Sequence, residues 1–323
     1  MRLLGVVLVV LLNSAAAATF AQGERMPRIA HVLIGTSQAS HTGIESFRAG
    51  LADEGFVEGR NVLVDRRFAE GHPERYAELF YELLRSPADV LAAAGFQGIT
   101  AARDASGGRI PVVGYFCGND VKQMVATFAR PGGNITGVSC LSAELATKRV
   151  ELLREVLPKL RRVGLLYDPS TPKEQELVDI SAAAQRLGMA VVTARASSPD
   201  SLPEAFALLS RERVEALIVL EDIFTFGNRS RIVALAAEHR LPDISAYREF
   251  VVDGGLLSYG ASLSERLRQQ GRYAGRVLRG AKPADLPVDQ PTRFEFVVNA
   301  RAARALGITI PQSLLLRVDE VIH

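Results

Sequence analysis

Two successive runs of short apolar strands alternating with amphipathic helices constrain this chain more than any other feature. In the first run, residues 29–34 form a continuous apolar strand, and 42–54 read as a helix with Ile44, Phe47 and Leu51 on one face. Residues 62–66 are again strand-like, and 73–84 are helical, with Tyr76, Leu79, Phe80 and Leu83 in register. Two more apolar strands, 90–93 and 110–115, flank a helix that begins near Gly98. Strands that are apolar throughout and separated by amphipathic helices predict a parallel sheet covered on both faces. The plan then restarts: 162–167, 189–193 and 216–220 are strands, while 173–187, 202–209 and 228–239 are helices. A repeat of roughly 130 residues is too long for a solenoid unit and matches a whole α/β domain. The fold class expected is therefore α/β, with two Rossmann-like lobes built on parallel sheets.

The junctions suggest that the chain passes between the lobes more than once. Arg130, Pro131, Gly132, Gly133 and Asn134 form a turn cluster ahead of the apolar stretch 135–138, and a helix over 143–157 leads into the second half. Residues 254–260, a glycine-flanked apolar segment, precede a helix over 263–278 and a strand over 292–298. The expected boundaries are 27–138 with about 259–290 for the first lobe, and 139–258 with about 291–323 for the second. Helices are expected within 300–323, docked on either lobe. A chain that recrosses between two similar lobes makes a hinged cleft.

The first residues read as an address. Arg2 precedes the apolar run 3–12, and Asn13, Ser14 and the alanines 15–18 lead to a small-residue cleavage site after Ala21. A positive start, a short apolar core and a small-residue exit are the parts of a secretory signal peptide, and ten apolar residues fall short of the roughly 20 that span a bilayer. The mature protein is expected in the periplasm, without stable membrane insertion. Export would place Cys117 and Cys140, each just beyond a predicted strand end, in an oxidising compartment. A disulfide and two buried thiols both remain open.

Composition and motifs narrow the chemistry further. With 38 Lys and Arg against 36 Asp and Glu the formal charge is only +2, and Trp is absent, so neither a basic field nor a stacking platform favours nucleic acid. No phosphate-binding loop, dinucleotide fingerprint or nucleophile elbow occurs, and the five histidines show no metal-ligand spacing. No cofactor, metal or catalytic residue is expected. His31, inside an apolar strand, reads as a packed core residue.

In open α/β sheets ligands sit beyond the carboxyl ends of the strands, where helix N-termini present unsatisfied N–H groups. The candidate ligand-binding residues are accordingly Ser37, Gln38, Phe96, Gln97, Asn119, Asp120, Asp168, Asp222, Phe224, Tyr247 and Arg248. Asp222 has the chemistry to pair a ligand ammonium and Arg248 a ligand carboxylate. Asp and Ser after a strand equally serve as helix caps, and Arg248 with Glu249 equally makes a surface ion pair.

Four stretches carry a resemblance: 47–62 (FRAGLADEGFVEGRNV), 130–139 (RPGGNITGVS), 248–260 (REFVVDGGLLSYG) and 280–295 (GAKPADLPVDQPTRFE). From about Arg28 to the C-terminus the chain resembles ABC-transporter substrate-binding proteins of the tryptophan/tyrosine-binding-like family. The resemblance implies a type I periplasmic-binding-protein fold, with three crossings between lobes and a small-molecule ligand in the cleft. Family members with known ligands bind aromatic amino acids, and the segment containing Asp222 is where a carboxylate meets the ligand amine. This chain departs at Gly95, Phe96 and Gln97, where those binders carry a small hydroxyl/proline segment. The expected function is the extracytoplasmic solute-binding component of an ABC import system, handing a small polar, amino-acid-like or carboxylate ligand to permease subunits. A periplasmic ligand sensor for a membrane receptor is the alternative, and a two-lobed enzyme a more distant one.

Overall fold

The computed structural model describes residues 25–38, 40–116 and 121–323. The expected signal peptide, Cys117, Asn119 and Asp120 lie outside those residues. From the N-terminus the chain runs β1 (Arg28–Leu33), α1 (His41–Asp53), β2 (Leu63–Phe68), α2 (Tyr76–Leu83), β3 (Val90–Ala94), α3 (Gly95–Ala105), β4 (Val112–Phe116), α4 (Val121–Met124) and β5 (Ile135–Ser139). These five strands form one all-parallel sheet in the order β2-β1-β3-β4-β5. The order reverses direction at β1 and β3, which opens a crevice at their carboxyl ends. Alternation along β1 decides what each face covers. Ala30 and Val32 pack in one core cluster with Tyr76 and Phe80 of α2 and Ile99 of α3, whereas Ile29 packs in another with Phe47 and Leu51 of α1.

The second run is α5 (Ser142–Val156), β6 (Arg162–Tyr167), α6 (Glu174–Arg186), β7 (Ala190–Arg195), α7 (Leu202–Arg211), β8 (Ala216–Val219), α8 (Ile223–Gly227), α9 (Arg229–Glu238), β9 (Asp243–Ser245), α10 (Arg248–Val252) and β10 (Leu257–Gly260). After α11 (Leu263–Leu278) follow β11 (Glu295–Asn299), α12 (Ala300–Leu306), α13 (Gln312–Leu315) and β12 (Glu320–Ile322). The second sheet has the order β12-β11-β10-β9-β8-β6-β7, parallel except where β11 runs against β10. The C-terminal segment is thus not helical throughout: β12 adds an edge strand beside β11.

Although α11 follows the second sheet in sequence, it packs on the first. The backbones of α1 and α11 touch so closely that a Cβ at Gly50 would lie 1.8 Å from the Arg268 carbonyl oxygen, and one at Gly271 would lie 2.1 Å from that of Phe47. Gln270, buried in the same interface, donates through Nε2 to the carbonyls of Ala93 (3.0 Å) and Val113 (2.9 Å), tying α11 to β3 and β4. The chain therefore passes between the sheets three times: after β5, after β10 and ahead of β11. One core cluster is continuous across both lobes, from Phe47 and Val113 through Tyr115 and Tyr247 to Phe206 and Phe224. Such continuity describes a clamp whose jaws are in contact.

Candidate functional site

The carboxyl ends of both sheets face each other, and side chains bridge the gap. Tyr115 at the end of β4 and Tyr247 after β9 share a buried hydroxyl–hydroxyl hydrogen bond of 3.0 Å. Gln97, in the first turn of α3, donates to Asp168 Oδ2 at 3.0 Å and Ser170 Oγ at 2.6 Å, both after β6. Asn228 donates to the Gly71 carbonyl at 3.2 Å. Gly95 makes one of the tight approaches possible: its φ is +68°, and a Cβ there would meet Ile223 Cγ2 at 2.5 Å.

Between these bridges and α11 lies a cavity of about 590 Å³, within the roughly 300–1,000 Å³ of small-molecule sites. The first lobe contributes the end of β1 and the start of α1, including His31, Ile34, Gln38, Ser40 and Thr42. The second lobe contributes Asp222, Phe226, Arg229, Tyr247, Arg248 and Glu249, and the crossing after β10 contributes Ser262 and Ser264. The helices α1 and α11 both begin at this cavity. Neither Ser40 nor Ser262 caps its helix with its side chain. The His41 N–H donates to the Gln38 carbonyl at 3.3 Å, and the other first-turn N–H groups, in Thr42, Gly43, Leu263 and Ser264 of the cavity lining, have no intrahelical partner.

Charge on the opposite wall is mostly spoken for. Asp222 caps α8, accepting from Thr225 N (2.7 Å) on Oδ1 and from Asp168 N (3.2 Å) on Oδ2. Its burial pushes the carboxyl up to about 6, against the pull of Lys173. Behind it a buried ionic cluster fills the second lobe: Arg149 pairs with Glu221, while Lys173 pairs with Glu176 at 3.2 Å and also donates to the Glu221 carbonyl. Burial raises the Glu221 carboxyl as well. Arg248 holds Glu320 of β12 through two bonds of 2.5 and 2.6 Å. Arg229 sits 3.2 Å from Asp253 and 4.7 Å over the Phe226 ring. Among the described residues no group of three or more His, Cys, Asp or Glu is placed to hold a metal ion.

Of the residues singled out from sequence, Gln38, Asp222, Tyr247 and Arg248 line this cavity. Phe96, Gln97 and Asp168 line a second hollow of about 630 Å³ at the outer lip of the cleft, with Ser170 and Tyr81. Ser37 is exposed and lines neither. Phe224 is fully buried in the core cluster and lines neither, because the Asp222 cap turns α8 so that Phe224 points into the lobe. Sequence reasoning did not single out Arg229, Ser262 or Ser264 as cavity residues; it read Glu249 as an ion-pair partner of Arg248 and His31 as core. His31 is indeed buried, stacked 4.7 Å from the Phe47 ring, yet it lines the cavity too.

Comparison with known proteins decides what this clamp is. The family described as ABC transporter substrate binding protein matches residues 31–322. The chain belongs to that family. A tyrosine-binding protein of Clostridioides difficile (strain R20291) is 25% identical over 283 residues, covering 85% of this chain and 81% of its own. A solved ABC domain in complex with L-Trp from Streptococcus pneumonia has a TM-score of 0.83 at 25% identity, covering 92% of this chain and 100% of the other. A conserved domain protein from Vibrio cholerae O1 biovar eltor gives the same TM-score of 0.83, identity of 25% and coverages of 92% and 100%. As a substrate-binding protein of the type I periplasmic fold, the chain captures a small solute between two lobes and is not an enzyme.

Proposed function

We propose that this substrate-binding protein works outside the cytoplasm, captures an amino-acid-like zwitterion with an apolar or aromatic body, and hands it to the permease of an ABC importer. The observation that carries the proposal is the cavity itself, enclosed by both lobes, with helix N-termini on one wall and carboxylates on the other. The first-turn N–H groups of α1 and α11 suit a ligand carboxylate. The acidic wall with Asp222 and Glu249 suits an ammonium. Ile34, Ile223, Phe226, Tyr115 and Tyr247 supply apolar and aromatic surface for a side chain. Binding proteins for tyrosine and tryptophan among the similar chains support the same ligand class. The hinge on this reading lies in the three segments that pass between the sheets, after β5, after β10 and ahead of β11. The apolar leader over 3–12 supports export to the periplasm with cleavage near Ala21.

Ligand contacting both jaws binds the closed form more tightly than the open one, and that difference drives closure. The test is a thermal-shift screen of mature protein, washed in denaturant to strip carried ligand and then refolded. L-Tyrosine, L-tryptophan and other amino acids are expected to raise the melting temperature, since ligand at a hundredfold over its Kd adds about 2.7 kcal/mol. The ligand should be recovered unchanged by mass spectrometry. Silence across amino acids, with a response to a sugar or a simple carboxylate, would overturn the ligand class.

A further inference from the structure

Four carboxylates of the second lobe line the cavity, Asp222, Glu249, Asp253 and Glu295, and the structure treats Asp222 and Glu249 differently. Each oxygen of Asp222 already accepts a backbone N–H, so its carboxylate holds α8 against the end of β6. Glu249, in the first turn of α10, lines the same cavity with Oε2 buried and without a hydrogen-bond partner. A buried carboxylate oxygen without a donor is rare in folded proteins and asks for a group that the chain does not supply. The charges nearest Glu249 do not supply it. Arg248 is engaged by Glu320, and Asp253 accepts from Ser230 Oγ. Arg229 lies against Asp253 and the Phe226 ring, its own Nε buried and without a hydrogen-bond partner, and Glu295 adds a further negative charge. On the facing wall His31 Nδ1 is likewise buried without a partner.

We infer that Glu249 is the residue that receives the ligand's ammonium and thereby sets specificity for an amine, while Asp222 is a positioning residue that shapes the wall. The inference rests on the amino-acid-like reading above and goes beyond it in assigning the recognising group. An ammonium offers three donors, and one of them on Oε2 completes the glutamate. The ligand's body then extends along Phe226 and Tyr247 towards the first lobe.

The experiment compares Glu249→Gln and Asp222→Asn in full-length mature protein by isothermal calorimetry. The probes are L-tyrosine, its deaminated analogue 3-(4-hydroxyphenyl)propionate, and its decarboxylated analogue tyramine. Glu249→Gln is nearly isosteric, and it is expected to weaken L-tyrosine and tyramine by roughly 10- to 100-fold while leaving the deaminated acid within about threefold of wild type. Retained binding of the deaminated acid and an unchanged unliganded melting temperature show that the variant is folded. Glu249→Asp, which keeps the charge, is expected to recover part of the amine affinity. Asp222→Asn is expected to weaken all three probes by a similar factor, leaving their ratios as in wild type. If Glu249→Gln leaves the tyrosine-to-deaminated ratio unchanged, or if Asp222→Asn is the variant that collapses it, the assignment to Glu249 is overturned and amino-acid capture stands. If the wild-type protein binds none of the three, the series is run with the amino acid that the thermal screen returns and its deaminated and decarboxylated analogues; a screen that returns no amino acid overturns both the reading and the assignment.

Discussion

Replacing Gly95 by alanine separates the stability of the first lobe from closure of the clamp, because the new methyl group meets two different obstacles. The first is local. Gly95 has φ of +68° at the junction of β3 and α3, and an L side chain in that region costs roughly 1–2 kcal/mol whether the jaws are open or shut. The second exists only in the closed form. The added Cβ would stand 2.5 Å from Ile223 Cγ2 of the other lobe, against about 3.5–4.0 Å for relaxed carbon contact. Relief requires the jaws to part by roughly 1 Å at this point. That displacement stretches the neighbouring bonds of Gln97 to Asp168 and Ser170, now 3.0 and 2.6 Å, beyond useful length. A hydrogen bond to a charged acceptor contributes about 1.5–3 kcal/mol. A loss of about 2 kcal/mol from the closed state alone raises the apparent Kd about 30-fold. The assay is calorimetric titration beside thermal melting, with Gln97→Ala as the companion variant. Gly95→Ala should lose both affinity and melting temperature; Gln97→Ala should lose affinity with a much smaller drop in melting temperature. A Gly95→Ala protein that melts lower yet binds as wild type would refute the idea that ligand capture requires the jaws to meet here.

Two further outcomes follow from buried charge. Arg149→Ala strands Glu221 in the interior of the second lobe, where both side chains are almost fully buried, and should cost about 3–5 kcal/mol in urea unfolding; the double variant Arg149→Met with Glu221→Leu should recover much of it, and failure to recover would show that the cluster's other members are coupled to the pair. Acid stability carries the mark of His31, whose burial beside Arg66 lowers its pKa from 6.5 to about 3. Between those values the unfolded chain holds a proton that the native one lacks, so His31 removes stability as pH falls, by up to about 1.4 kcal/mol per pH unit. Asp222 and Asp243, raised from 3.8 to about 6 by burial, act the other way in the window between 3.8 and 6. His31→Gln should therefore flatten the loss of stability from pH 6.5 downwards, and an unchanged slope in denaturant titrations would refute the buried neutral imidazole.

Much of the fold was legible because β1, β3, β4, β6 and β8 are apolar on both faces and their helices carry one clear stripe each. Strands β9 and β12 were not. Each has only three residues, Asp243–Ser245 and Glu320–Ile322, too few for a period, and each is fixed by neighbours that the sequence brings in from elsewhere. The rule that ligands sit beyond strand ends leads to Gln38, Asp222, Tyr247 and Arg248, which do line the cavity. It cannot tell which way a side chain turns within a one-turn helix: Phe224, expected at the ligand, is buried in the core, whereas Glu249, read as an ion-pair partner of Arg248, lines the cavity. The α11 contribution was illegible for a different reason. Ser262 and Ser264 reach the site only because Gly50 and Gly271 let α11 settle against α1, more than two hundred residues earlier in the chain.

The same local geometry explains why an empty clamp need not stay shut. Closing gains the Tyr115–Tyr247 bond, the Gln97 and Asn228 bridges and the apolar contact of Gly95 with Ile223. Closing also leaves His31 Nδ1, Glu249 Oε2 and Gln97 Oε1 buried without partners, each at a cost of about 1–3 kcal/mol. Gains and costs are thus of similar size, which is the condition for an equilibrium that a ligand can tip. A solute that pairs two of those three atoms removes the cost in the closed state and in no other. Contact with both lobes is then the source of the free energy that shifts the equilibrium, and a ligand that filled the cavity without satisfying Glu249 or His31 would bind with little preference for the closed form.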